Sequence, residues 1–330
     1  VANAQKAGIK YIDDDTKETL STDTDNGKGK FGQPITFRTD PAKTIKDYED
    51  QGYKLVTNNF KTTDTYQADN NKNQFEVHFM HGTTDVTPDK PKTPSDIIPG
   101  TTKHYPSGVD KDDLNKTVTR TINVISPDGK TTTIKQPVTL QRSATVDDVT
   151  GQITYKPWST DKWAEYDTPS ISGYTPSQAK VSATTVDGNT QDQTVTITYS
   201  ADDQSTTAKF VDDDNNGAQV GKTITLSGKT DQTINTGLQV PANYELAKGQ
   251  TLPATYTFKA ENNSPIVIHL VHATKPDTND NHLNKTVTRT INVTNPDGKT
   301  TTIKQEARLH RSGTIDKVTQ KATYKPWSTD

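Results

Sequence analysis

A block of 48 residues occurs twice in this chain, and its two copies are identical at 36 positions. The first copy runs from Leu114 to Asp161 and the second from Leu283 to Asp330, at a constant offset of 169 residues. An enzyme rarely needs the same module twice in tandem, whereas a modular protein that binds many copies of a ligand often does. No Ser/His/Asp order or Gly-rich phosphate loop stands out, so we expect a binding or spacer protein and not an enzyme.

The composition indicates several small domains. Only 28% of the 330 residues are hydrophobic, which is little for one large globule. Threonine is abundant, and its β-branched side chain favours strands. Regular alternation over Val118–Val124 excludes simple disorder. We therefore predict a string of small, thin β domains.

Charge and cysteine content narrow the class of partner. The net charge is −3 and no Lys/Arg cluster follows the pattern of a phosphate-binding surface, so nucleic acid is not an expected partner. No apolar run approaches 18 residues, so nothing in the sequence predicts a membrane span. Cysteine is absent, which together with the Thr, Asn and Asp content favours a surface protein of a Gram-positive bacterium.

A second, longer repeat surrounds the first. Lys10–Asp15 matches Lys209–Asp214, and Val77–His81 matches Ile268–His272. Two module types therefore alternate. The predicted domains are a type-one module over 1–82, a Pro-rich linker over 83–113, a type-two module over 114–200, a second type-one module over 206–273, and a linker with a truncated type-two module over 274–330.

The type-one module reads as strand, strand, helix, strand, strand. Strands are predicted at Lys10–Asp13, Pro34–Arg38 and Phe75–Met80. Asp40 followed by Pro41 predicts a helix start, with Gly52 as its stop. This order suggests a β-grasp, ubiquitin-like fold. The second copy has a weaker helix signal, at Thr230–Thr236.

The type-two module opens with a predicted hairpin, Thr117–Ile125 and Thr131–Leu140, joined by a turn at Asp128-Gly129. Later strands are expected at Gln152–Tyr155 and Thr194–Tyr199. The fold class is thus β-rich α+β, with small elongated β-grasp modules alternating with larger β modules.

Two connecting or terminal segments carry their own predictions. Five prolines between Thr83 and Asp113 predict an extended tether. The second type-two copy lacks a counterpart of Lys162–Ser200, so we expect 283–330 to be poorly packed unless a neighbour completes the sheet.

The repeated motifs carry a family resemblance. LNKTVTRTIN, PDGK, TYKPWSTD, GYTPS and TVTITY resemble the type-two module of the mucus-binding (MucBP, Mub-repeat) adhesins of lactobacilli, and KYIDDD and KFVDDD resemble the β-grasp module that precedes it. The resemblance covers essentially all of 1–330. It implies an extracellular, cell-wall-anchored adhesin that binds mucin glycoproteins, with its anchor outside this segment. Immunoglobulin binding is also associated with related modules, and we expect a monomer.

An acidic turn in the second type-one module is a candidate calcium site. Asp212, Asp214 and Asn216, followed by Gly217, resemble the start of an EF-hand loop, in which oxygen ligands wrap Ca²⁺. The twelfth position is Thr223 instead of Glu. The alternative is a solvated acidic turn between strands.

Aromatic residues of the type-two module are the candidate glycan contacts. Sugars present apolar C–H faces to exposed rings, which points to Trp163, Tyr166, Tyr174 and Trp158. The alternative is that these scarce rings form the core. His78 and His81 lie three apart on a predicted strand and face opposite sides, which argues against a metal pair.

Three functions remain open from the sequence. The first is a mucin-glycan adhesin whose weak repeats gain avidity in tandem. The second captures immunoglobulin by β-strand addition at an exposed sheet edge. The third is a structural spacer of a surface protein.

Overall fold

The computed structural model describes residues 4–329 as a strand-rich chain with few, short helices and many small sheets. The chain forms two compact units. The first comprises 4–124, 131–167 and 180–196, and the second 125–130, 168–179 and 197–329. Within residues 4–329 there is no helix with the length and apolar character needed to cross a membrane.

The type-one module of the first unit is a mixed four-stranded sheet with one helix. Its sheet order is β2-β1-β4-β3, and β1 and β4 are parallel neighbours. The apolar face of this sheet packs into one aromatic-rich core. The elements are β1 (Gly8–Asp13), β2 (Thr19–Thr24), α1 (Pro41–Asp50), β3 (Tyr53–Asn58) and β4 (Gln74–His81).

Helix α1 forms where its capping signals predict it. The Asp40 carboxylate accepts a hydrogen bond from the Ala42 N–H at 3.0 Å, and Pro41 opens the first turn. Gly52 follows the helix with φ of +100°, a left-handed value that glycine adopts without strain. Ile45 and Tyr48 pack onto the core. The predicted helix is confirmed.

The strand predictions for this module are partly correct. The closing strand is confirmed as β4, with Phe75, Val77 and Phe79 buried. The strand predicted at Pro34–Arg38 is wrong, because that segment makes only isolated bridges. The second strand is instead the polar β2, which carries little apolar pattern to reveal it.

The Pro-rich segment between the modules is folded and not a tether. Its first residues form β5, which pairs with β8 in a three-stranded sheet of order β5-β8-β9. Ile98, Tyr105 and Val109 are buried in a shared core with strand β8. The prediction of an extended tether is therefore wrong, because apolar residues between the prolines find a burial partner. The elements that follow β4 are β5 (Thr83–Val86), α2 (Lys111–Leu114), β6 (Asn115–Ile125), β7 (Thr131–Gln141), β8 (Ala144–Asp147) and β9 (Ile153–Tyr155).

The type-two hairpin forms as predicted and gains a third strand. Strands β6 and β7 are neighbours in a sheet of order β15-β6-β7. The pairs β10–β14 and β11–β13 lie in the first unit, and β12–β16 lies in the second. The later strands are β10 (Asp161–Trp163), β11 (Tyr166–Asp167), β12 (Tyr174–Pro176), β13 (Lys180–Val181), β14 (Thr184–Val186), β15 (Gln193–Ile197) and β16 (Tyr199–Ala201).

The second type-one module repeats the topology of the first. Its sheet order is β18-β17-β22-β20, with β17 and β22 parallel. The helix predicted at Thr230–Thr236 is wrong, because Thr233–Asn235 pairs as a strand with β21. The elements are β17 (Asp203–Asp212), β18 (Ala218–Lys229), β19 (Thr233–Asn235), β20 (Tyr244–Leu246), β21 (Thr255–Thr257) and β22 (Ile266–His272).

The second type-two copy is an open version of the first. Among residues 4–329, its long hairpin β24–β25 has no third strand. Val287 is 43% exposed, whereas its counterpart Val118 is 2% exposed. The expectation of poor packing is confirmed for this hairpin, while the strands around it form a sheet of order β23-β26-β27. The elements are β23 (Thr274–Pro276), α3 (Asp280–Leu283), β24 (Asn284–Thr294), β25 (Thr300–His310), β26 (Gly313–Asp316) and β27 (Ala322–Tyr324).

Removing a core ring tests the first type-one module. Phe79 is fully buried among three other rings, so Phe79→Ala leaves a cavity and lowers the free energy of unfolding by about 3–5 kcal/mol. Phe31 is 68% exposed, and Phe31→Ala changes this free energy by less than about 0.5 kcal/mol. Urea unfolding followed by tyrosine fluorescence measures both. Equal effects of the two substitutions would contradict the assigned core.

Candidate functional site

An arginine held between two aromatic rings lies where β7 and β9 end. The Arg142 guanidinium carbon is 3.6 Å from the ring centroid of Tyr155 and 4.4 Å from that of Trp158. Both distances are within cation–π range. Strands β8 and β9 are antiparallel partners, so the chain folds back on itself and brings Tyr155 close to Arg142. We call this group the arginine clamp.

Further contacts fix the clamp in place. Arg142 Nε donates to the Asp113 carbonyl oxygen at 2.9 Å, and the Tyr155 hydroxyl donates to the Gly108 carbonyl oxygen at 2.6 Å. Trp158 packs against the core cluster of the hairpin. Within residues 4–329, no hydrogen bond or ion pair engages the terminal Nη atoms of Arg142. The guanidinium is thus held by two rings and by the bond at Nε, and the residue is partly exposed.

The second type-two copy builds the same clamp. The Arg311 guanidinium carbon lies 3.8 Å from the Tyr324 centroid and 4.5 Å from that of Trp327. Arg311 Nε donates to the His282 carbonyl oxygen at 2.8 Å. The Tyr324 hydroxyl donates to the Asp277 carboxylate, also at 2.8 Å. The clamp recurs once in each compact unit with nearly the same geometry.

The predicted aromatic residues take different places. Trp163 is 2% exposed in the core with Leu140 and Val186, so no ring face is open to a sugar and its proposed stacking role is corrected to packing. Trp158 is partly buried, with one face against Arg142. Tyr166 lies half-buried on β11.

Tyr174 is separate from the other three candidates. It lies in the second unit, where its hydroxyl donates to the Asp231 carboxylate at 2.7 Å. This bond raises the pKa of the Tyr174 hydroxyl. The four predicted residues therefore do not form one cluster, although Trp158 and Trp163 share a core.

Sequence reasoning missed Arg142. The signal was present, because Arg142 and Ser143 and the stretch TYKPWSTD are among the positions identical in both copies. This signal is weak, because 36 of the 48 positions are identical in the two copies. Only the folded chain shows that the arginine lies between the two rings.

A histidine joins the two modules of the first unit. One residue, Gly82, separates β4 from β5. The last residue of β4, His81, has Nε2 3.1 Å from the carboxylate of Asp13 in the type-one module. Its Nδ1 is 2.7 Å from the carboxylate of Asp147 on β8. One imidazole therefore bonds an aspartate of each module, and we call this the histidine junction.

Backbone bonds tighten the same junction. Gly82 N–H donates to the Gly52 carbonyl oxygen at 2.8 Å, and Asp148 N–H donates to that of Gly82 at 2.8 Å. A Cβ at Gly52 would lie 2.3 Å from the Asp148 carbonyl oxygen, so this close approach requires glycine. The modules therefore meet through hydrogen-bonded backbone with no intervening linker.

The second unit repeats the histidine junction. His272 Nδ1 is 2.6 Å from the Asp316 carboxylate, and Nε2 is 2.9 Å from that of Asp212. Lys317 N–H donates to the Ala273 carbonyl oxygen at 2.9 Å, which corresponds to the bond from Asp148 N–H to the Gly82 carbonyl oxygen in the first unit. The same histidine–aspartate contacts are therefore a recurring feature of the repeat.

The junction shifts the pKa of each partner in the first unit. Burial alone would lower the pKa of His81, but bonds to Asp147 and Asp13 outweigh it and the pKa is raised. Burial would raise the pKa of Asp13 and Asp147, yet hydrogen bonds, including those from His81, lower both. The charged forms of all three groups are therefore favoured in the folded chain.

The acidic turn predicted for calcium adjoins this junction. Asp212 and Asp214 each bring a carboxylate oxygen within 4.8 Å of a His272 nitrogen. Asn216 caps the short turn with φ of 53°. Asp214 accepts the His272 backbone N–H at 2.7 Å. Calcium prefers oxygen ligands, whereas this group includes an imidazole, so the visible role of the turn is hydrogen bonding and calcium stays a prediction.

The second histidine of each pair has its own acidic partner. His78 Nδ1 is 2.8 Å from the Asp14 carboxylate, and His269 Nδ1 is 2.7 Å from that of Asp213. His78 and His81 thus contact different aspartates of the same turn.

Two family models match the chain, each of them twice. A Muc B2-like domain matches 109–203 and 278–330. A mucin binding domain matches 5–81 and 204–272. No curated protein matches the chain.

Solved relatives match the same regions. The protein described as Mub-RV is 30% identical, with 60% of this chain and 99% of that chain covered and a TM-score of 0.46. A type 2 repeat of the mucus binding protein MUB from Lactobacillus reuteri is 27% identical, with 60% and 100% covered and a TM-score of 0.40. The mucin-binding domain of a Streptococcus pneumoniae protein is 32% identical, with 26% and 91% covered and a TM-score of 0.25.

These matches define the chain as a tandem array of bacterial adhesin repeats. It belongs to the mucin-binding Mub/MucBP family, whose repeat domains occur in Lactobacillus and other Gram-positive bacteria. One matched family model is described as a mucin binding domain and the other as a Muc B2-like domain, and neither description is that of an enzyme family.

The histidine junction predicts a pH dependence of stability. A raised folded pKa means that the stabilisation by His81 is complete below about 6.5, its ordinary value, and is lost as pH rises through the raised value. The lowered pKa values of Asp13 and Asp147 mean that theirs is complete above about 3.8 and is lost at lower pH. The stabilisation from these three groups is therefore greatest between these limits.

Substitution of His81 isolates this effect. His81→Gln lowers the free energy of unfolding at pH 5.5 by about 1–3 kcal/mol, and the difference from wild type shrinks by pH 8.5. His104 is exposed and its side chain makes no hydrogen bond within 4–329, so His104→Gln changes neither value. Urea unfolding at both pH values provides the measurement. A difference between the variant and wild type that does not depend on pH would contradict the assignment of a charged His81 in the junction.

Proposed function

We propose that this chain is the extracellular repeat region of an adhesin that binds mucin glycans through several weak contacts. The observation that carries the proposal is the double match to a mucin binding domain, over 5–81 and 204–272. The 32% identity to a domain described as mucin-binding in Streptococcus pneumoniae supports the same partner.

The arginine clamps are the contact surfaces we propose for the glycan. Tyr155 is 38% exposed, so part of its ring remains open beside Arg142. Aromatic rings suit the apolar C–H faces of sugars, and the guanidinium supplies hydrogen-bond donors for oxygen atoms. Trp158 completes the clamp and is part of the contact surface we propose, and Tyr166 and Tyr174 also stay predictions.

Repetition gives weak sites their strength. One clamp lies in each compact unit, and linked sites bind the same polymer with an avidity that exceeds single-site affinity by about 10²–10⁴. Mucin glycoproteins repeat their sugars along a chain, which suits this arrangement. The function needs no catalysis, and we infer attachment to a bacterial cell wall by a part of the protein beyond this segment.

The type-one modules are inferred to be β-grasp domains. A four-stranded mixed sheet of order β2-β1-β4-β3, with parallel central strands and one helix, supports this assignment for the first copy. The second copy has the same sheet order, with the antiparallel strand pair β19–β21 in the segment between β18 and β22.

Immunoglobulin capture is the second candidate function. Strand β3 is an edge of its sheet, and Leu55 and Val56 on it are 41% and 47% exposed. An open edge with apolar side chains can accept a partner strand through main-chain hydrogen bonds. This candidate predicts binding that is independent of glycans.

Deglycosylation separates the two candidates. The whole chain is expected to bind immobilised mucin, and enzymatic removal of the glycans should reduce binding at least tenfold, because the protein core lacks the sugar faces. Surface plasmon resonance with immunoglobulin in a parallel channel gives the comparison. Binding to immunoglobulin alone would support edge capture, and binding to neither would support a spacer.

Calcium at Asp212, Asp214 and Asn216 is a separate proposal with its own test. Calorimetric titration of the whole chain with calcium chloride should give one weak site, with Kd about 10⁻⁴–10⁻³ M as in extracellular modules. Asp214→Asn should remove the heat. Asp15→Asn, at the equivalent turn without the Asn-Gly pair, should leave it unchanged. No heat with the wild-type chain would end the calcium proposal.

A further inference from the structure

In each type-one module, the turn after the first strand meets the end of the last strand. In the first copy β1 and β4 are parallel neighbours, and Asp13 is paired with Phe79. Because parallel strands end at the same edge of a sheet, His81 at the end of β4 lies beside Asp13 and the turn residue Asp15. One ligand atom of each of these three residues lies within 4.8 Å of the other two. Two carboxylates and one imidazole are a donor set for a divalent metal ion.

The spacing of these donors suits zinc. Zinc binds histidine nitrogen and carboxylate oxygen at about 2.0–2.2 Å, so two ligands of a tetrahedral site lie about 3.4 Å apart. The His81 Nε2 and the Asp13 carboxylate are 3.1 Å apart. The Asp15 carboxylate is held next to the imidazole, because it accepts the His81 backbone N–H at 2.6 Å. Asp13 is buried whereas Asp15 is exposed, so the group is open to solvent on the Asp15 side.

The other side of the imidazole has the partner that zinc ligands have in proteins. A metal-binding histidine commonly donates its second ring N–H to a carboxylate, which fixes the ring and makes it a better ligand. His81 has this partner, because its Nδ1 lies 2.7 Å from the Asp147 carboxylate. The bond holds Nε2 toward Asp13 and Asp15. A bound ion takes the place of the Nε2 proton, which leaves to solvent.

The second unit presents the same group. One ligand atom each from Asp212, Asp214 and His272 lies within 4.8 Å of the other two. His272 Nε2 is 2.9 Å from the Asp212 carboxylate, and its Nδ1 is 2.6 Å from the carboxylate of Asp316. The two units share both the three donors and the outer carboxylate, which predicts two metal sites in the chain.

The donor set favours zinc over calcium and magnesium. Those two ions prefer oxygen ligands, and calcium takes about six to eight of them. Imidazole combined with carboxylate instead suits zinc and its neighbours in the first transition series. The sequence contains no cysteine, so no thiolate of the chain competes for the ion.

We propose that each type-one module binds one Zn²⁺ ion at its group of two aspartates and one histidine. The ligands are Asp13, Asp15 and His81 in the first copy and Asp212, Asp214 and His272 in the second. Asp147 and Asp316 belong to the adjoining modules and position the histidine. Zinc therefore strengthens the histidine junction. The proposal does not rest on mucin binding and adds a metal to the adhesin repeat.

Calorimetric titration of the whole chain with zinc chloride is the first test. We expect two Zn²⁺ ions per chain and no binding heat with magnesium chloride. In a background of calcium chloride the first site keeps its affinity for zinc, because the first copy lacks the Asn216-Gly217 pair of the proposed calcium turn. A wild-type chain that binds no zinc would overturn the proposal and would leave the mucin and calcium proposals standing.

Histidine variants locate the two ions. His81→Gln should remove one site, and His81→Gln with His272→Gln should remove both. The matched control is His78→Gln with His269→Gln, which alters histidines on the same two strands that contact other aspartates, and it should keep both sites. Zinc binding by the His81 and His272 double variant that equals wild type would reveal an adventitious ion only and overturn the proposal.

Substitution of the outer carboxylate tests the positioning role of Asp147. Loss of such a partner weakens metal binding by about 10–100-fold, so Asp147→Asn should lower the affinity of the first site by this factor and leave the second unchanged. Asp85 is exposed on β5, the strand next to β8, and Asp85→Asn should bind zinc as wild type does. Equal affinities in these two variants would contradict the role of Asp147.

Stability measurements provide a second readout and control for folding. Zinc should raise the Tm of the wild-type chain, because an ion that binds the folded state stabilises it, and should not raise that of the double His variant. If the double His variant unfolds, Asp15→Asn with Asp214→Asn decides the question, because these two side chains are exposed and the variant keeps both histidines. This variant should lose both ions. A folded form of it that binds two zinc ions as tightly as wild type would overturn the proposal.

Discussion

The hydrogen bonds of His81 to one aspartate on each side of Gly82 set the geometry on which the first unit depends. Because a single residue connects β4 to β5, the strands of the two sheets follow each other directly in the chain, without a linker. With only 28% hydrophobic residues, each module has a small core, and little apolar surface remains to join one module to the next. Charge-assisted hydrogen bonds between His81 and the carboxylates of Asp13 and Asp147 join the two modules instead. The recurrence of the arrangement at His272 shows that the repeat is the sheet pair together with its junction.

Local signals in the sequence were sufficient for some elements and insufficient for others. Helix α1 and the β6–β7 hairpin follow from capping residues and a turn dipeptide, whose energetics depend on neighbours in sequence. The segment after Val86 was misread as a tether, because its order depends on Ile98 and Tyr105 meeting β8, a contact about 45 residues away in sequence. Strand β2 was missed because its residues are polar and pair through the backbone. Proline content reports the stiffness of a free chain, and it does not report whether a neighbouring sheet buries the residues between the prolines.

The candidate site illustrates the same limit. Aromatic residues were recognisable as the scarce chemistry, but the sequence could not tell that Trp163 fills the core while Trp158 borders a guanidinium. Their different places follow from strand pairing: Trp163 lies on β10 opposite β14, whereas Trp158 follows β9 in a loop. Arg142 carries no motif of its own. Its identity in the two internal copies is shared by 35 other positions of the 48-residue block, so that comparison does not single it out.

The parallel pairing of β1 with β4 has a mechanical consequence. These are the first and last strands of the type-one module, and six residues of β1 pair with β4. Force applied between the two ends of such a module slides the strands along each other instead of peeling them apart. All hydrogen bonds between them then bear the load together, so the module resists rupture until they fail at once. The parallel pair β17–β22 gives the second copy the same shear geometry, so both type-one modules resist extension in the same way.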